Sequence, residues 1–210
     1  MAKLTTTSYA ILGLLKRRPW SAYELTKYMQ HSGIRAVWPR TESRIYVEFK
    51  NLLAHGLATV AEETHKGRKR AIYSITLAGG ASLRDWLLSA EGGLRLESEP
   101  LLKLLYSDLD KSAPGVQLES MRQQLLAEAR LMRDEIEAVL ERGFFFEENA
   151  EQNAQLVALL TDFVEVRSRW LQQMSAKPVR STSRSKEARR VYHQQAEKLD
   201  KLLAELGGAD

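Results

Sequence analysis

The stretch from Pro39 to Arg70 constrains the fold more than any other, because helical spacing there gives way at one glycine to strand-like segments around a cationic cluster. Thr41 or Ser43 can cap a helix whose Ile45, Phe49, Leu52 and Leu53 recur at helical spacing and bury one face. Arg40, Arg44, Tyr46, Glu48, Lys50 and Asn51 are then left on or near the other face, a set suited to phosphates and base edges. Gly56 stops the helix. Residues 57–64 and 71–76 read as short strands joined by residues 65–70, which hold four cations, Lys66, Arg68, Lys69 and Arg70, at the expected hairpin tip. A helix with polar groups outward followed directly by a basic hairpin is the plan of a winged helix-turn-helix.

The preceding residues supply the rest of such a core. Thr5, Thr6, Thr7 and Ser8 offer capping hydroxyls before a helix over about residues 6–16, ended by Pro19. Ser21 caps a second helix with Glu24 at capping-box spacing, and Tyr23, Leu25, Tyr28 and Met29 are its expected buried positions. Gly33 closes it, residues 34–38 form a connector, and Pro39 holds Trp38 out of the helical region. After the wing, a helix carries Leu83, Trp86, Leu87 and Leu88, and Glu91, Gly92 and Gly93 mark a boundary.

Everything beyond Pro100 reads as helix. A short one starts with Leu101, Leu104 and Leu105, and Pro114 and Gly115 end that region. A long helix over residues 117–142 has Leu118, Met121, Leu125, Ala129, Met132, Ile136 and Val139 on one stripe. Another carries Leu156, Leu159, Phe163, Val166, Trp170 and Met174 and ends near Pro178. Residues 180–185 form a polar linker before a last helix with Tyr192, Ala196, Leu199, Leu203 and Leu206 on one face. Narrow stripes on long helices need partners, in the same chain or in a second copy.

Charge separates these halves. Residues 1–88 carry 14 Lys and Arg against 6 Asp and Glu, whereas the remainder carries 17 against 21, so a polyanion-binding module joined to a part with another task is indicated. The chain has no cysteine, which excludes disulfides and thiolate metal ligands. No apolar run reaches the roughly 20 residues of a membrane span, and a cytoplasmic location is expected. His31, His55, His65 and His193 are scattered without metal-ligand spacing, and no phosphate loop or nucleophile motif occurs, so an enzyme is not expected and neither a cofactor nor a metal is implied.

The first 88 residues resemble the PadR family of bacterial transcription regulators. The resemblance rests on residues 8–15 (SYAILGLL), 21–25 (SAYEL), Trp38 with Pro39, residues 43–52 (SRIYVEFKNL), Gly56 with Leu57, residues 70–76 (RAIYSIT), and Ala78 with Gly79, in family order and at family spacing. The helical remainder is similar to the C-terminal domain of longer family members, with residues 99–106 (EPLLKLLY) at its opening. The resemblance implies a mainly α fold with a small β-hairpin wing: an N-terminal winged helix-turn-helix over residues 1–90 and an antiparallel helical dimerisation domain over 98–178, while residues 179–210, read from their own pattern as a linker and C-terminal helix, match no family feature. It further implies a homodimer that binds palindromic operator DNA, often as a repressor released by a small apolar or phenolic effector.

The candidate DNA-binding residues are Ser21 and Tyr23 on the second helix, Arg40, Thr41, Ser43, Arg44, Tyr46 and Lys50 on and before the third, and Lys66, Arg68, Lys69 and Arg70 on the wing. Tyr46 can equally pack against the first helix, and Trp38 and Trp86 are assigned to the core. Trp170, Phe144 and Phe145 are candidate effector-binding residues, against which stands a packing role at a helix junction. A second class of function, nonspecific nucleic-acid packing or protein contact by a winged helix, would show no preference among duplex sequences.

Overall fold

Thr5 starts the first helix with a complete capping box: its hydroxyl accepts from the Ser8 amide at 3.3 Å, and its own amide donates to Ser8 Oγ at 3.0 Å. In the computed structural model, which describes residues 4–65, 68–110, 112–176 and 185–207, α1 runs Thr6–Arg17 and buries Ile11, Leu12 and Leu15. A two-residue strand β1 (Trp20–Ser21) follows and leads directly into α2 (Ala22–Gln30), capped by Ser21 and Glu24 as the spacing requires. The connector expected at 34–38 contains a single helical turn, α3 (Ile34–Val37). Thr41 caps α4 (Glu42–Ala54), and Gly56, at φ 66°, takes the left-handed conformation that ends it without a Cβ penalty.

Strand β2 (Ala58–His65) has the expected length shifted by one residue, whereas β3 (Arg68–Ile75) begins three residues earlier than expected. Their antiparallel register pairs Thr64 with Lys69 and Glu63 with Arg70, so Lys69 and Arg70 belong to a strand and not to the tip where the sequence put them. Cross-strand pairing with acidic Glu62 and Glu63 lets these cations continue a ladder that composition alone reads as a loop. Lys66 and Gly67 lie outside the described residues. β1 pairs with the far side of β3, Trp20 opposite Tyr73, giving a three-stranded sheet of order β1-β3-β2 in place of a simple hairpin.

Then α5 (Leu77–Leu88), α6 (Glu99–Leu105), α7 (Ala113–Arg142), α8 (Ala150–Ala176) and α9 (Ser185–Gly207) complete the described elements. Pro114 and Gly115 do not end a region but sit in the first turn of α7, where a proline lacks only an amide that would be unpaired anyway. Residues 177–184, most of the expected linker, lie outside the described residues. No described helix is long and apolar enough to cross a membrane.

The chain divides into two units, residues 1–97 with 124–168, and residues 98–123 with 169–210. In the first, a single core joins Ile11, Leu12 and Leu15 to Trp20, Leu25, Met29, Ile45, Phe49, Leu52, Leu57 and Leu83. The Trp20 indole is buried and donates to the Leu14 carbonyl at 3.1 Å, while Tyr9 stacks on Trp86 with centroids 5.0 Å apart. Phe145 and Phe146, between α7 and α8, pack on Trp20 and Tyr28. Tyr23, expected inside, is 64% exposed because it lies on the side of α2 opposite Leu25 and Met29, and Leu87 and Leu88 are likewise exposed. In the second unit Ser98 caps α6 and Leu171 is buried, whereas Tyr192, Leu199, Leu203 and Leu206 of α9 are exposed.

Gly79 shows why the turn after the wing tolerates nothing larger. A Cβ there would stand 2.1 Å from the Leu57 carbonyl oxygen, a backbone atom that cannot swing aside, whereas a Cβ on neighbouring Gly80 meets nothing within 4 Å. Gly79→Ala is therefore expected to destabilise by about 1–3 kcal/mol or more, and Gly80→Ala to stabilise by about 0.5–1 kcal/mol through helix propensity. Denaturant unfolding of the two variants should show opposite signs; equal effects would mean that α5 does not pack against the end of α4 this closely.

Candidate nucleic-acid interface

At 100° per residue, burial of Ile45, Phe49 and Leu52 leaves Ser43, Val47 and Lys50 along the centre of the opposite face of α4, flanked by Arg44 on one side and Tyr46 on the other. Val47, 56% exposed, was not singled out from sequence; its position four residues from Ser43 and three from Lys50 was the signal. A hydroxyl, a small apolar patch, an ammonium, a guanidinium and a phenol on one rigid helix suit the acceptors and thymine methyls of a major groove.

Glu48 does not belong to this face. Its side chain is only 3% exposed, its Oε2 accepts from Ser8 Oγ at 2.5 Å and from Asn51 Nδ2 at 3.2 Å, and its Oε1 lies 3.8 Å from Arg44 Nε. A carboxylate is read as a surface residue by default, and the hydroxyl waiting on α1, with the Asn51 amide, allows it inside.

The approach to α4 is fixed from two directions. Trp38 Nε1 donates to Thr7 Oγ1 on α1 at 3.0 Å, and the Arg40 guanidinium stacks 3.9 Å over the Trp38 ring. Gln30 Nε2, at the end of α2, donates to the Arg40 carbonyl at 3.3 Å. Thr41 spends its hydroxyl on the cap, accepting from the Arg44 amide, and lies 3.1 Å from Ser43 Oγ. On α2, exposed Tyr23 stands beside exposed Lys27, whose ammonium is 5.7 Å from the ring centroid; Lys27 was missed although it follows Tyr23 by one helical turn. Ser21 is buried and its hydroxyl donates to Glu24 at 2.9 Å, so its work here is capping.

On the wing, Lys69 Nζ lies 3.2 Å from Glu62 Oε2, both side chains well exposed, and such a pair is worth at most about 1 kcal/mol. Lys69 can exchange that partner for a phosphate at small cost. Arg70 is different: its Nη1 donates to Glu24 Oε1 at 3.1 Å and ties β3 to the start of α2. Lys66 lies outside the described residues, and Arg68 opens β3. Of the wing cations whose side chains are described, Arg70 is thus held by α2 and Lys69 by an exchangeable surface pair.

Phe145, one of the candidate effector residues, lies 4.9 Å from Tyr28 and 5.7 Å from Trp20 between ring centroids, and Phe144 precedes it in the same junction. Trp170 is half-buried on α8 and belongs to the second unit.

Residues 11–85 match the transcriptional regulator PadR-like family. The match takes in the winged-helix part of the chain, from α1 into α5. A curated relative, the negative transcriptional regulator PadR of Bacillus subtilis, is 37% identical over 82 residues, which are 38% of this chain and 44% of that protein, so the match spans less than half of the relative's length. The fold extends further. Bacillus subtilis PadR in complex with operator DNA superposes with a TM-score of 0.66 at 22% identity, covering 82% of this chain and 98% of that one. The same protein in complex with p-coumaric acid gives 0.57 at 22% identity, over 83% and 96%. A PadR-like transcriptional regulator of Bacillus cereus gives 0.65 at 16% identity, over 82% and 97%. The winged helix with C-terminal helices is thus the PadR architecture.

Glu24 offers a direct check on how α2 and the wing are joined. Its carboxyl is held below the ordinary value of 4.5, first by the Ser21 hydroxyl and to a lesser degree by the charges of Arg70 and Arg18, against the opposing effect of burial. A carboxyl depressed in the folded state stabilises above its ordinary value, and that contribution fades as pH falls through the folded midpoint. Carboxyl NMR titration should place the Glu24 midpoint below 4.5 and show Ser21→Ala raising it more than Arg70→Ala does. The reverse order would make the wing pair, and not the cap, the main restraint on α2.

Proposed function

We propose that the chain is a PadR-family regulator that binds a palindromic operator as a homodimer, represses transcription there, and is released by a small apolar or phenolic effector. The observation that carries the DNA reading is the outward face of α4, where Ser43, Arg44, Tyr46, Val47 and Lys50 stand exposed on a helix whose other face is locked into the core. Lys69 and the start of the wing would lie along the backbone, adding affinity without selecting sequence. Tyr23 and Lys27 would meet phosphates beside the groove.

Division of labour along the chain fits the charge asymmetry: residues 1–90 for DNA, 98–178 for the two-fold interface, and 179–210 as linker and terminal helix. Exposed Leu159, Phe163 and Val166 on α8, and Leu199, Leu203 and Leu206 on α9, are the apolar surface that a second copy would cover. The effector reading is supported by Trp170, an aromatic ring on a striped helix, and by the relative crystallised with p-coumaric acid.

Footprinting of genomic DNA bound by the whole chain, with sedimentation of the protein alone, tests this reading. A recurring motif with two-fold symmetry and a dimeric mass are expected, with preference over random duplex of about a thousandfold or more. Uniform occupancy of the genome would replace sequence-specific regulation by nonspecific packing, and a monomeric mass would remove the basis for the palindrome.

A further inference from the structure

Glu48 turns its two oxygens in different directions. Oε2 is occupied from inside, accepting from Ser8 Oγ at 2.5 Å and from Asn51 Nδ2 at 3.2 Å, and Ser8 Oγ is itself fixed by the Thr5 amide at 3.0 Å. The carboxylate cannot rotate without breaking these bonds. Oε1 is therefore aimed outward, and what it meets 3.8 Å away is Arg44 Nε, an ion-pair separation slightly too long for a hydrogen bond. Arg44 keeps a side chain 57% exposed while the charge facing it is 3% exposed, so the negative partner is poorly screened and stationary whereas the positive one reaches solvent.

A guanidinium has five N–H donors in a flat fork, and a stationary carboxylate on the Nε side draws that edge toward itself and leaves the two Nη groups turned away from it and free. Resting on the reading of α4 as the groove-facing helix, we propose that Glu48 is a positioning residue for base selection: it orients Arg44 so that both Nη groups meet one base edge in register. The long arginine stem would otherwise sample many rotamers and reach a phosphate as readily as a base. The relay from Thr5 through Ser8 to Glu48 makes the start of α1 part of the specificity apparatus, although α1 itself lies behind α4.

The test uses the full chain and a pool of randomised duplexes, from which bound sequences are selected with the wild type, Arg44→Ala, Glu48→Gln and Arg44→Lys. Glutamine keeps an oxygen for Ser8 and Asn51 but brings no charge to Arg44; lysine keeps the charge of Arg44 but has no Nε, and its exposed position spares the fold. Arg44→Ala is expected to lose preference at one base pair per half-site, by about tenfold. Glu48→Gln is expected to lose preference at the same pair while binding unselected duplex as the wild type does, and Arg44→Lys is expected to lose that preference too. A purely structural role for Glu48 would instead weaken all duplexes and spare the pattern of preference. The inference is overturned if Glu48→Gln and Arg44→Lys retain the preference that Arg44→Ala loses, or if Arg44→Ala loses none. A wild-type pool that enriches no sequence would instead sink the operator reading itself.

Discussion

A helix that must offer one face to a partner has only its other face with which to be held, and α4 meets this constraint by combining apolar burial with one internal charge. Ile45, Phe49 and Leu52 supply the burial. Glu48 supplies direction, because a carboxylate removed from water costs several kcal/mol unless its lone pairs are taken up, and the takers, Ser8 and Asn51, stand in fixed places. Hydrophobic packing alone would permit α4 to slide or roll slightly against α1. A buried acceptor that is satisfied in one register does not. The capping box at the start of α1 and Glu48 on α4 are thereby parts of one polar chain.

A second anchor lies at Trp20. In two residues of strand it pairs with Tyr73 of β3, sends its indole into the core, donates to the Leu14 carbonyl, and receives Arg18 3.6 Å above its ring. Phe145 and Phe146 close over the same indole and Tyr28, and Arg17 lies 3.7 Å from Glu148. The wing, the helix-turn-helix and the α7–α8 junction therefore meet on one aromatic group, so that movement of that junction would be felt at the sheet carrying the wing.

Sequence made the regular elements legible where local chemistry decides them. Ser21 with Glu24 announced a capping box, Gly56 a left-handed stop, and the spacing of Ile45, Phe49 and Leu52 an inner face. It failed where a distant residue decides. β1 is two residues long and exists because β3 passes beside it; Glu48 is inside because of a hydroxyl forty residues earlier; Arg70 is a tie and not a tip because Glu24 and the β2–β3 register capture it. At the candidate interface, Arg44, Tyr46 and Lys50 were readable from their periodicity, whereas Val47 and Lys27 were passed over because an exposed valine and a single lysine carry no local mark. Ser21 was nominated for DNA from sequence, yet its hydroxyl is committed to the cap.

The chain's lack of cysteine makes the orientation of α4 directly measurable. A single thiol at Val47 stands at the centre of the outward face, and one at Leu87, 67% exposed on α5, serves as a reference. Reaction of each with a charged maleimide, without and with saturating footprinted duplex, reports which surface the DNA covers. With α4 in the groove, DNA should slow modification of Val47→Cys strongly and leave that of Leu87→Cys unchanged. Undiminished reaction at Val47→Cys in the fully bound complex would contradict the assignment of this face to DNA.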